Sequence, residues 1–116
     1  MITVFDIVTT PMFKDFRIFS GKRGLQNPVS GTGLLDWESG EAITRSFNRG
    51  DFILPTLVAD RGNPAGADQC VVSLMRNGVS AICIKDVFFS ELSDETRRLS
   101  EQLAIPVFFF SDTFSI

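Results

Sequence analysis

The sequence contains no histidine and no tyrosine. Without histidine, a His-based catalytic triad, a His general base and a His metal ligand are all excluded. The two cysteines, Cys70 and Cys83, cannot build an ordinary structural zinc site alone. Both lie in apolar patterns, so a disulfide framework is not indicated. We therefore expect no metal, no cofactor and no enzymatic activity.

Long apolar runs and clusters of basic residues are also missing. No apolar run approaches the length that spans a bilayer, and residues 1–8 lack the basic segment that opens a signal peptide. Together with unpaired cysteines, this predicts a cytoplasmic protein without membrane contact. The 11 basic residues are spread along the chain and the formal net charge is −3. We therefore expect no direct contact with nucleic acid.

What the chain does contain is the composition of one globular domain. It has 116 residues, of which 44% are hydrophobic and 22% charged, enough for one sizeable core. From residue 50 onward the pattern alternates between strand and helix: strands at 52–54, 79–84 and 106–110, helices at 67–75 and 92–103. This order predicts a single α/β domain over residues 1–116, with a mostly parallel sheet flanked by helices.

The first half carries weaker signals. Thr3 followed by Asp6 indicates a helix start, and Pro11 a stop. A short strand is predicted at 16–19, an extended segment at 29–35 and a short helix at 41–47. Gly21 and Gly24, with two basic residues between them, either cradle a phosphate or form a plain turn. The turn is favoured because the Walker spacing is absent.

Polar residues follow three of the predicted strands and form the candidate ligand site. In an open parallel sheet, ligands bind beyond the carboxyl ends of the strands. We therefore expect these groups to converge on one crevice, although each residue taken singly is better explained as the start of a loop. The candidate ligand-binding residues are Thr56, Asp60 and Arg61, then Lys85 and Asp86, then Ser111 and Asp112.

Two further features have competing interpretations. Arg49, Gly50 and Asp51 spell an adhesion tripeptide, but we interpret them as the entrance to a buried strand, since three-residue matches arise readily by chance. The three phenylalanines at 108–110 cannot all face one side of a strand. Unless helices cover both faces of the sheet, one face is buried in an interface. This favours a homo-oligomer as one hypothesis, with Phe109→Ser as its test.

Five segments, in this order and at this spacing, resemble the N-terminal domain of the purine catabolism regulator (PucR-like) family of bacterial transcription regulators. They are T-V-F-D-I-V (3–8), G-K-R-G-L-Q-N-P-V (21–29), G-D-F-I-L-P-T (50–56), N-G-V-S-A-I-C-I-K (77–85) and L-A-I-P-V-F-F-F (103–110). The chain departs from the family pattern at Asn27, where arginine is common, at Asp51, which replaces glutamate, and at Pro55 with Leu57.

The resemblance implies a non-catalytic sensory domain that binds a small, purine-related metabolite. Such a domain controls a DNA-binding helix-turn-helix that would lie outside this chain. A fainter resemblance, over residues 49–110, links the chain to the N-terminal domains of Mur ligases and implies a similar fold. This resemblance leaves open a nucleotide-binding accessory domain of Mur-ligase type. The phenylalanines at 108–110 leave open a second alternative, a protein-interaction or oligomerisation module.

Overall fold

A computed structural model describes residues 1–13, 15–35, 48–55, 62–87 and 89–111, apart from the side chains of Met12, Leu34 and Leu35. Its elements, in chain order, are α1 (Val4–Val8), β1 (Phe16–Ser20), β2 (Gly31–Leu35), β3 (Asp51–Pro55), α2 (Pro64–Arg76), β4 (Ala81–Lys85), α3 (Asp94–Leu103) and β5 (Val107–Phe110). Short 3-10 turns lie at Pro11–Phe13 and Lys22–Gly24. The helix predicted at 41–47 lies outside the described residues.

Within the described ranges, five strands form one sheet in the order β1-β5-β4-β3-β2. Strands β2 to β5 run parallel, and β1 pairs antiparallel with β5 at the edge. The predicted α/β architecture with a mostly parallel sheet is therefore confirmed. The similarity to Mur ligase N-terminal domains stays a prediction.

The helix boundaries follow from local capping chemistry. Thr3 and Asp6 form the predicted capping box of α1, each side chain accepting a hydrogen bond from the other's backbone N–H. Asn63 caps α2 by accepting from Gly66 N. At the other end of α2, Asn77 is the cap and Gly78 follows it in the left-handed region, at φ +82°, where a glycine commonly ends a helix.

The two helices α2 and α3 cover one face of the sheet. Their apolar side chains pack against the sheet residues of that face, which include Ile53, Ile82, Ile84 and Phe109. The opposite face is covered by α1 and the neighbouring 3-10 turn. Its core consists of Val4, Phe52, Ala81, Cys83 and Phe108.

This two-sided packing answers the question raised by the phenylalanines of β5. Phe109 is fully buried on the face covered by α2 and α3, whereas Phe108 and Phe110 lie on the face covered by α1. Both faces are covered, so β5 requires no interface of its own. Removing the Phe109 ring would damage the core, and Phe109→Ser is therefore unsuitable as a test of oligomerisation.

Gly21 and Gly24 make a turn that packs against the chain just before β5. A Cβ atom on Gly24 would lie 1.9 Å from the carbonyl oxygen of Ala104, and one on Gly21 would lie 2.2 Å from that of Ile105. Gly21 also has φ +76°. The chain's own backbone lies directly against both glycines, so neither position has room for a side chain. The residues between them form a 3-10 turn, as the turn interpretation predicts.

The tripeptide at 49–51 forms the entrance to β3, as predicted. Gly50 takes the left-handed conformation at φ +84°. Asp51 is only 7% exposed, and its carboxylate accepts a hydrogen bond from Asn48 N at 2.8 Å. An adhesion motif must present both charged groups to a receptor, and this carboxylate is turned into the protein.

Two observations bear on metals, thiols and membranes. Cys70 and Cys83 form no disulfide and are buried on opposite faces of the sheet, so they cannot join each other. Across the described residues, no helix is long and apolar enough to cross a membrane, and no group of three or more Cys, Asp or Glu is placed to hold a metal ion.

Candidate functional site

The carboxyl edge of the sheet brings together three of the predicted ligand residues. Asp86 N donates to the carbonyl of Phe110 at 2.9 Å, and Lys85 pairs in register with the same residue. The ends of β4 and β5 are therefore neighbours, and Ser111 follows directly. Lys85 is exposed, while Asp86 and Ser111 are half-buried. The other four predicted residues, Thr56, Asp60, Arg61 and Asp112, lie outside the described residues.

The strand order removes one argument for a crevice at this edge. A doubly wound sheet forms its crevice where the strand order reverses and consecutive helices pass to opposite faces. Here β2, β3, β4 and β5 are adjacent in chain order, and α2 and α3 lie on the same face. No such reversal separates β3, β4 and β5. The seven-residue ligand site stays a prediction that depends on the polar strand ends.

Asp68 is a described carboxylate that accepts hydrogen bonds from two hydroxyl groups. It accepts hydrogen bonds from Ser93 N and Ser93 Oγ at 3.0 Å and from Thr96 Oγ1 at 2.6 Å, among the described contacts. These donors form the N-terminus of α3, where a negative charge is stabilising. The carboxylate oxygen Oδ1 is thus occupied in joining α2 to α3. We assign this cluster to capping, not to a nucleophile and its base.

The amino edge of the sheet contains a cleft that the sequence did not indicate. It has a volume of about 750 Å³, within the usual range for small-molecule sites. The residues before β3, β4 and β5 meet in it, together with the segment before β2. The described residues that line it are Asn27, Pro28, Ser30, Arg49, Gly50, Met75, Arg76, Gly78, Val79, Ser80, Leu103 and Ile105.

Side-chain hydrogen bonds tie the segments of this edge together. The amide of Asn27 donates to the carbonyl oxygens of Ser80 at 3.2 Å and Ala104 at 2.8 Å. The hydroxyl of Ser80 donates to Gly50 O at 2.8 Å. Four segments that are distant in sequence are thereby held in fixed positions around the cleft.

Sequence reasoning missed this cleft because it considered only the carboxyl ends of the strands. The sequence contains only a weak indication of this cleft. Each of β3 and β4 is preceded by an arginine and then a glycine in the left-handed conformation, Arg49 with Gly50 and Arg76 with Gly78. Only the parallel pairing of β3 with β4 brings these two short segments side by side.

The fold is that of an α/β domain with a mostly parallel sheet, and the described ranges contain no cluster of metal ligands. Comparison with known families gives the assignment. The profile of the Purine catabolism regulatory protein-like family (PucR) matches residues 6–115, and the chain belongs to that family. The family comprises regulatory domains of transcription regulators. A search of curated proteins found no significant match.

Proposed function

We propose that this domain is a non-catalytic sensor that binds a small, purine-related metabolite in the cytoplasm and controls a separate DNA-binding domain. The family match over residues 6–115 is the observation that carries the proposal. The chemistry of the chain supports it, because the sequence has no histidine and the hydroxyl–carboxylate cluster at Asp68 caps a helix. A ligand then acts by binding one state of the regulator more tightly than another.

We place the effector at the carboxyl edge, against Lys85, Asp86 and Ser111 and the predicted residues around them. The adjacency of β4 and β5 supports this placement, since Asp86 N bonds to Phe110 O. Lys85 and Asp86 offer one charge of each sign, and the hydroxyl of Ser111 can both donate and accept. Such a set suits a polar heterocycle whose edge carries donors and acceptors.

A thermal-shift panel of purines, ureides, amino acids and nucleotides tests the proposal. A ligand at one hundred times its Kd stabilises the folded state by about 2.7 kcal/mol, which raises Tm of a domain of this size by roughly 10 °C. We expect a purine or ureide to give such a rise. If no compound stabilises the domain at millimolar concentration, the sensory function is contradicted.

Variants at the carboxyl edge locate the site. Lys85→Gln and Asp86→Asn should each reduce the stabilisation by the effector while leaving Tm of the free domain nearly unchanged. Lys22→Gln is the matched control, because Lys22 is also an exposed lysine and lies in the turn at the opposite edge. Equal losses in all three variants would contradict the placement of the site. Stabilisation by uridine nucleotides alone would favour the alternative of a Mur-ligase-type accessory domain.

A second candidate function is self-association, and a specific surface favours it. Phe5 in α1 is 44% exposed and Ile18 in β1 is 39% exposed. Both line an apolar groove of about 220 Å³ on the α1 face. Exposed apolar side chains that gather around one groove are typical of an interaction surface.

Light scattering on the wild type and on Ile18→Ser tests this candidate. If the groove is an interface, the wild type forms a dimer or larger species and the variant is a monomer. Val87→Ser is the control, because Val87 is 52% exposed but lies outside the groove. A wild type that is monomeric at high micromolar concentration would contradict self-association.

A further inference from the structure

The cleft at the amino edge of the sheet is positively charged, although the chain as a whole is acidic. Arg49 and Arg76 both line it, and no Asp or Glu is among the described residues that do so. The formal net charge of the chain is −3. An anion that approaches this edge therefore meets two guanidinium groups and no lining carboxylate.

Neither guanidinium is engaged within the part of the chain that the structure describes. The side chains of Arg49 and Arg76 make no hydrogen bond or ion pair with the described residues. Three other arginines do bond to backbone carbonyls, Arg17 to Ser90, Arg23 to Glu101 and Arg97 to Phe19. These three arginines stabilise the fold through hydrogen bonds to backbone carbonyl groups. The side chains of the two cleft arginines form no such bonds with the described residues.

Helix capping does not account for the two cleft arginines either. The C-termini of α2 and α3 point toward this edge and leave carbonyl groups that need donors. For α2 these donors are the backbone and side-chain N–H groups of Asn77 and the N–H of Gly78. For α3 they include Arg23, which bonds to Glu101 O, and Asn27, which bonds to Ala104 O. Both helix ends have caps without Arg49 or Arg76.

The side chain of Arg49 is also held in position. A Cβ atom on Gly78 would lie 3.1 Å from both Cγ and Nη1 of Arg49, so this side chain rests on the bare backbone of Gly78. The backbone beneath it is fixed, because Gly50 N donates to Gly78 O at 2.9 Å. A guanidinium that is ordered before binding loses less entropy when it binds a ligand.

We propose that this cleft binds a small anion, through its carboxylate or phosphate group, with Arg49 and Arg76 as the charged contacts. A guanidinium matches both groups, because its N–H donors can form two parallel hydrogen bonds to a pair of oxygens. The hydroxyl of Ser30 lines the same cleft, and the partly exposed side chain of Leu103 offers an apolar contact for the rest of the ligand. The anion site is separate from the carboxyl-edge effector site and does not depend on a sensory role.

Titration of the ¹⁵N-labelled chain with inorganic phosphate and, separately, with succinate tests the site by NMR. Ionic strength is held constant with sodium chloride, so that general screening does not change. We expect saturable shifts of the amide signals of Gly50, Gly78 and Ser80 with at least one anion. The anion with the lower Kd shows whether the site prefers phosphate or carboxylate.

Arginine variants then test the contacts. Arg49→Gln and Arg76→Gln should each raise Kd by about tenfold, the effect of losing one charge-assisted hydrogen bond. Arg98→Gln is the control, because Arg98 is an exposed arginine on α3 outside this cleft. It should leave Kd within twofold of the wild type.

Three results would overturn the proposal. They are non-saturable shifts with both anions, saturable shifts confined to residues away from the cleft, or equal weakening by Arg98→Gln and the cleft variants. The spectra of the free variants show whether each is folded. The outcome is also separable from that of the effector panel, because Lys85→Gln should not change the Kd for phosphate or succinate.

Discussion

Replacing Gly24 with alanine should destabilise the domain because the added methyl group collides with backbone. The new Cβ would lie 1.9 Å from the carbonyl oxygen of Ala104 and 2.6 Å from its carbonyl carbon. Overpacking of this kind typically costs about 1–3 kcal/mol. Moving the carbonyl aside also weakens its hydrogen bond with Asn27 Nδ2, worth about 1 kcal/mol. We expect a total loss of about 2–4 kcal/mol.

Two other glycines separate the collision from backbone strain. Gly62 has φ +78°, but no atom of the described residues lies within 4 Å of a Cβ placed on it, so Gly62→Ala should cost only about 1 kcal/mol, the strain of a left-handed alanine. Gly21 has both problems, with φ +76° and a contact of 2.2 Å to Ile105 O, and Gly21→Ala should cost the most.

Urea denaturation followed by circular dichroism measures these free energies of unfolding. With a slope of about 1.5 kcal/mol per molar urea, Gly24→Ala should lower the midpoint by roughly 2 M and Gly62→Ala by less than about 1 M. A midpoint for Gly24→Ala at or above that of Gly62→Ala would refute the packing of the turn against the segment before β5.

Three further outcomes follow from the structure. Ala104→Gly should raise the free energy of unfolding by up to about 1 kcal/mol in the same assay, since Ala104 has φ +53°. Asp68→Ala should lower it by about 2 kcal/mol, because the capping donors of α3 lose their acceptor. Burial raises the pKa of the Cys83 thiol above its usual 9.0, so only the unfolded state deprotonates as the pH rises past that value. Stability should therefore fall above pH 9 by at most about 1.4 kcal/mol per pH unit from this group, and Cys83→Ala should lack that contribution.

Much of the fold could be predicted because its signals are local. The apolar spacing from Ala67 to Met75 marks α2, and the run before Lys85 marks β4, without knowledge of any partner element. The antiparallel position of β1 beside β5 could not be predicted, because strand pairing joins residues about ninety positions apart. The burial of Asp51 could not be predicted from the sequence either, since a charged residue is normally exposed unless its environment supplies hydrogen-bond donors.

The two candidate sites also differ in how far the sequence could predict them. Lys85 and Ser111 could be predicted as neighbours, because each directly follows a strand and parallel strands end at one edge. The presence of Arg49 and Arg76 in one cleft could not be predicted, because it depends on the path of the chain into β3 and β4. Arg76 moreover lies in the last turn of a helix, where a basic residue is expected for the helix dipole alone. A further role is indicated only by the position of Arg76 at the cleft and by its guanidinium, which forms no hydrogen bond with the described residues.

Asn27 connects the family assignment to the chemistry of the amino edge. In the resemblance noted from the sequence it stands where arginine is common, and its amide donates hydrogen bonds to the carbonyl oxygens of Ser80 and Ala104 at the cleft. An arginine could reach the same carbonyls with more donors, and it would add a positive charge to this edge. In this chain the charge comes from Arg49 and Arg76 among the described lining residues. The amino edge therefore combines the hydrogen bonds that link its segments with the positive charge of the cleft, and Asn27 supplies the first without adding to the second.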